Sequence, residues 1–194
     1  MKKINLLLAM AAMAATFQAC SGNKTATRGD STAVKTDSTT TTVKTDSATV
    51  LADTAFAAKA AVGGMAEVAL GKMAAAKGSD SQVKDFGNMM VTDHGKANAE
   101  LMSIAKAKNI TLPAGLDAEH QAISDSLSKL SGKDFDKAYI SMMVDDHKKD
   151  IKAFENEAKN GSDADIRAFA DSSLHILRMH LADAEKCKNM SKKM

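Results

Sequence analysis

The chain has 194 residues, with 26 Lys and Arg against 24 Asp and Glu, for a formal net charge of +2. This balance offers no basic patch for nucleic acid. The only cysteines are Cys20 and Cys187, which excludes a disulfide-stapled scaffold.

Residues 1–19 read as an export signal. Lys2 and Lys3 give a basic start, and an apolar run from Ile4 to Ala15 follows, too short to span a membrane. Phe17-Gln18-Ala19-Cys20 resembles a bacterial lipoprotein cleavage site, with Phe17 in place of the usual Leu. Cys20 would then be the lipidated first residue, anchoring the chain to a membrane. An ordinary signal with an incidental cysteine is the alternative. Ser21 suits sorting to the outer membrane, with the domain in the periplasm or at the cell surface. Loss of Lys2 and Lys3 leaves basic and acidic side chains equal in number.

Residues 20–50 are the lipidated Cys and a tether rich in Thr, Ser, Asp and Lys, too polar to offset its own ordering entropy. Asp30-Ser31-Thr32, Asp37-Ser38-Thr39, Asp46-Ser47-Ala48 and Asp53-Thr54-Ala55 resemble a bacterial O-glycosylation signal. A plain solvated spacer stands beside that reading.

Residues 51–190 form the folded part, and no alternating β-branched run suggests strands. Helices are expected over about 52–77, from Ser79 or Asp80 to 109, over 117–130, over 134–159, and from Ser162 or Asp163 to 189. Pro113 sits in the loop after the second helix, and Gly132 ends the short third one. Two turn segments match: Gly78-Ser79-Asp80 leading to Val83 and Phe86, and Gly161-Ser162-Asp163 leading to Ile166 and Phe169. The long helices therefore pair as two hairpins, joined by the short crossing helix. The expected class is all-α, a ferritin-like four-helix bundle.

A second repeat lies inside these helices. Phe86, Met89-Met90-Val91 and Asp93-His94 recur as Tyr139, Met142-Met143-Val144 and Asp146-His147. It is expected to mark equivalent helices of the two hairpins. Each long helix carries one ionisable residue near the middle of its apolar stripe: Glu67, His94, His147 and His180. A carboxylate deep in an apolar core is costly unless paired or bound to metal. One carboxylate and three imidazoles suit iron, zinc or manganese. Asp150 and Asp183, each one turn after a histidine, are expected to orient the ligand rings. Gly63, Gly64 and Gly71 around Glu67 leave room for a ligand or allow close helix contact. The alternative is a metal-free Glu–His network that fixes bundle register, in a structural or protein-interaction module. Asp93 and Asp146 are either solvated or bonded across helices.

Copper is a third reading. Met90 with His94, Met143 with His147, and His175 with Met179 place thioether and imidazole on one face. No catalytic motif is present. The di-iron Glu-x-x-His signature fails, because Val91 and Val144 stand three before the histidines.

These residues resemble a family of exported bacterial proteins, domain-of-unknown-function family 4142. The resemblance is carried by the segment from Gly64 to Lys72, by Met90 to Asn98, by Leu112-Pro113 with Leu116 to His120, by Phe135 to Tyr139, and by Met143 to His147. It implies a ferritin-like fold and a place in the cell envelope, and it brings no assigned activity. His120 falls within the pattern but off the proposed centre, in a structural position.

Overall fold

The computed structural model describes residues 47–191, which form five helices: α1 Ser47–Lys77, α2 Ser81–Ala107, α3 Ala118–Ser128, α4 Gly132–Asn160 and α5 Ala164–Ser191. The export signal, Cys20 and most of the tether lie outside the described residues. The bundle starts earlier than its sequence suggested: residues 47–50 open α1 instead of closing the tether. The fourth glycosylation-like triplet is also inside α1, where Asp53 is buried. No described helix is long and apolar enough to cross a membrane.

The starts of α2 and α3 follow local chemistry. Asp80 caps α2 by accepting from the Gln82 amide, and Asp117 caps α3 by accepting from the His120 amide. Asp163 accepts from the amides of Asp165 and Ile166 at the start of α5. Gly132 begins α4 instead of ending α3, with φ at +58°.

The helix α1 packs along α2, and α4 along α5; α2 also meets α5, and α1 meets α4. At one point the backbones of α1 and α2 nearly touch. A Cβ on Gly71 would lie 2.7 Å from the Gly87 carbonyl oxygen, and one on Gly87 would lie 2.6 Å from that of Gly71. Here the glycines serve helix contact. The main core gathers Leu70, Phe86, Met90, Phe135, Tyr139 and Met143. A smaller cluster holds Ala57, Leu101 and Phe169, with the Phe56 and Phe154 rings packed edge to face at 4.9 Å.

Two reciprocal latches tie the hairpins together. Asp136 on α4 accepts from the Ser79 amide and hydroxyl and from the Asp80 amide, all in the α1–α2 turn. Asp53 on α1 accepts the same three donors from Ser162 and Asp163 in the α4–α5 turn. Each turn is thus closed by a carboxylate from the other hairpin. The sequence carries a trace of this: Asp53-Thr54-Ala55-Phe56 parallels Asp136-Lys137-Ala138-Tyr139.

The latches make α1 equivalent to α4 and α2 equivalent to α5. The Met-Met-Val repeat sits on α2 and α4, so it does not mark equivalent helices. It marks two helices that meet at the polar centre from different positions in their hairpins.

One latch carries an extra carboxyl. Burial, then the charge of Asp53, pushes Glu157 up to about 7. Asp53 itself is buried, yet the donors from Ser162 and Asp163 outweigh that burial and lower its pKa. Because the folded value of Glu157 exceeds its ordinary 4.5, its charge penalty is absent at low pH and complete above about 7. Glu157→Gln should therefore stabilise the chain above pH 7, with the gain fading toward pH 4.5 in thermal melts. Asp136→Ala should cost about 2 kcal/mol in denaturant unfolding, through loss of a buried acceptor.

Candidate metal centre

The stripes predicted from sequence do converge. Glu67 from α1, His94 from α2, His147 from α4 and His180 from α5 are all buried, the last two with 0 % exposure. The ring centroids of the three histidines are 5.2–5.7 Å apart. One nitrogen from each ring lies within 4.8 Å of the others.

Each ring has its other nitrogen committed. His94 Nδ1 is 2.7 Å from Glu67 Oε2. His147 Nδ1 lies 2.9 Å from the Met143 carbonyl oxygen, one turn earlier, and can only donate to it. His180 Nε2 lies 3.1 Å from Asp93 Oδ2. A neutral imidazole has one proton, so these bonds decide which nitrogen stays bare. His147 presents Nε2 and His180 presents Nδ1, and these two atoms face each other at 3.4 Å. With both rings neutral, no proton lies between them. The His94 Nε2 is buried and has no hydrogen-bond partner.

The electrostatics agree with this arrangement. Burial pushes His180 down to about 4 against the pull of Asp93, and burial also lowers His147 despite Glu67. For His94, burial is outweighed by the charge and hydrogen bond of Glu67, and its pKa rises. Burial likewise opposes ionisation of Glu67, but the surrounding imidazoles, His94 foremost, outweigh it and lower its pKa. The metal-free centre is therefore a His94–Glu67 ion pair beside two neutral rings.

The acids around the rings take different places. Glu67 lies beside the Nδ1 atoms of His94 and His147, 2.7 Å from the first and 3.6 Å from the second, and holds the His94 ring. Among the expected orienting acids, Asp150 makes no hydrogen bond or ion pair among the described residues, and Asp183 lines a separate cleft with Phe86 and Cys187. Asp93 takes that role. Successive helical residues are rotated by about 100°, so Asp93 faces α5 while His94 faces α1. The adjacent Asp-His pair was the signal for this, with the bond across helices already one of its two readings. Its counterpart Asp146 pairs with Lys149 at the surface.

The copper pairs separate as well. Met90 and Met143 are buried beside the centre, whereas His175 and Met179 are exposed on the outer face of α5. Burial raises the Cys187 thiol, which opposes a reactive thiolate there. A cleft of about 300 Å³ reaches His94, Glu67 and Asp93 from solvent, with Phe154, Phe169 and Leu177 in its walls.

The fold and site define an all-helical protein with a buried trihistidine centre. The family model described as Domain of unknown function (DUF4142) matches residues 38–187, and the chain belongs to that family. No curated protein and no solved structure matches it.

In the metal-free protein, nitrogen NMR should find the proton of His147 on Nδ1 and that of His180 on Nε2 from pH 6 to 8. His180 should titrate only near pH 4. A proton shared between the two rings would contradict the arrangement.

Proposed function

We propose that this chain is a lipid-anchored envelope protein whose helices form a ferritin-like bundle holding one divalent transition-metal ion on His94, His147 and His180. The observation that carries the metal reading is the convergence of three ring nitrogens. One nitrogen of each ring lies within 4.8 Å of the others; His147 Nε2 and His180 Nδ1 are bare, an acceptor holds the other nitrogen of both rings, and a metal ion would displace the second proton of the His94 ring held by Glu67. Metal-ligating histidines are oriented in this way.

Charge supports the same reading. A dication on three neutral imidazoles would be offset by Glu67 and Asp93, both bonded to those imidazoles. Imidazole suits zinc, iron, copper and nickel, whereas manganese prefers carboxylate oxygen. With Glu67 bonded to the His94 ring, zinc or ferrous iron would fit best. Three imidazoles would hold the ion, and the cleft that His94 lines would give a further ligand access from solvent. A single ion with no bridging carboxylate suits buffering of envelope metal better than oxidative mineral storage. The ferritin-like reading rests on two hairpins joined by the crossing helix α3. Anchoring rests on Cys20 and the export signal before it.

A metal-free polar core is the competing reading, favoured by the Glu67–His94 pair, which is complete without an ion. Elemental analysis and calorimetry on the full chain separate the two. One zinc per chain is expected, and His147→Ala with His180→Ala should abolish binding. Asp93→Asn should weaken affinity about 10- to 100-fold through loss of ring orientation. A wild-type chain that takes up none of iron, zinc, manganese or copper would sink the metal reading.

A further inference from the structure

The latches relate the two hairpins residue by residue. Asp53 corresponds to Asp136, Phe56 to Tyr139 and Phe86 to Phe169. At the same spacing, Met90, Met143, His147 and His180 have Ser173, Ala60, Gly64 and Ala97 as counterparts. The first four are bulky and all have 0 % exposure. The second four are small, and all of them line the cleft of about 300 Å³ that opens beside His94. Over Gly64 the Asn98 amide takes part of the room, since a Cβ there would lie 2.2 Å from its Oδ1. One half of the bundle is thus filled where the matching half is left hollow. The hollow is built by residue choice on three helices, and its volume is at the lower end of the range for small-molecule sites.

The walls define what would fit. Phe154 and Phe169, with ring centroids 6.0 Å apart, give an apolar side together with Ile176 and Leu177. Four carboxylates face Lys96 and His94 in the same cleft. Glu67 is paired with His94 at 2.7 Å, and Asp93 with Lys96 at 3.6 Å. Asp150 and Glu100 make no hydrogen bond or ion pair among the described residues. Glu67 is only 5 % exposed, yet its Oε1 has no hydrogen-bond donor. Burial first, then the charges of Glu67 and Asp146, pushes Asp150 up to about 7, as happens to a carboxyl among carboxylates with no cation beside it. Asp150 stands one turn before Phe154, so its carboxyl and that ring share a face of α4.

We propose that this cleft binds a small organic cation, an alkyl or aryl ammonium whose apolar body lies against Phe154, Phe169 and Leu177 and whose head meets Asp150. An ammonium has three donors and no acceptor, which suits carboxylate oxygens that lack donors. Phenylalanine rings beside the head attract a cation further. An anion of the same shape would meet the unpaired acids instead. The proposal does not depend on the metal reading.

The test is calorimetric titration of the metal-free full chain with phenethylammonium at about pH 8, where Asp150 is ionised. Without metal, the amine has no ion to coordinate. One phenethylammonium per chain is expected, with phenylpropionate at least about tenfold weaker. Asp150→Asn should weaken phenethylammonium binding about tenfold. Ala60→Met and Ser173→Met each bring the counterpart's side chain into the cleft. Both should abolish binding while circular dichroism shows an intact bundle. No binding by the wild-type chain, or phenylpropionate bound as tightly, would overturn the proposal. So would wild-type affinity in Asp150→Asn, or in the filled variants. None of these results bears on zinc uptake, so the metal reading stands or falls separately.

Discussion

Every buried imidazole must place its N–H somewhere, and in this bundle three acceptors settle where. Glu67, the Met143 carbonyl and Asp93 each take one nitrogen of one ring. Once those bonds exist, the remaining nitrogens cannot all pair with one another. His147 and His180 bring two lone pairs face to face, and His94 adds a buried nitrogen with no partner. Such a cluster is costly in an apolar core unless a cation completes it. The case for a metal rests on this constraint, and residue type alone would not supply it.

The constraint requires four helices to hold their mid-points at one depth. The reciprocal latches provide that alignment. Asp136 closes the turn of the first hairpin and Asp53 that of the second, so the hairpins are pinned to each other at both ends. Contact between Gly71 and Gly87 brings α1 and α2 close enough for Glu67 to reach His94. Phe86 then packs against His147 and His180, with ring centroids 6.5 Å from each, and gives the centre an apolar side. Stability and site geometry therefore depend on the same few polar contacts between hairpins.

The helices, their turns and the four inward ionisable residues were legible in the sequence, because a core stripe at helical spacing leaves a strong periodic mark. Roles within the centre were less legible. Glu67 and the histidines share one depth, and periodicity does not say which of these side chains pair with one another. Asp150 and Asp183 were chosen as orienting acids because they stand one turn after a histidine on the same helix. The bond that forms crosses helices instead, from His180 to Asp93, and depends on how α2 is rotated against α5. The latches were hidden for the same reason: Asp53 and Asp136 act on turns far away in the chain. The start of α1 at Ser47 also escaped, since polar Ser and Thr in the first turns of a helix read like the tether before them.

In this account, one bundle supplies three oriented imidazoles, a balancing pair of carboxylates and an open face on a cleft. Its most direct test is X-ray absorption on the zinc-loaded full chain. Three imidazole nitrogens are expected at about 2.0 Å from the metal, with the same pattern retained in Glu67→Gln. Fewer than three imidazoles, or a carboxylate signal that disappears in Glu67→Gln, would contradict it.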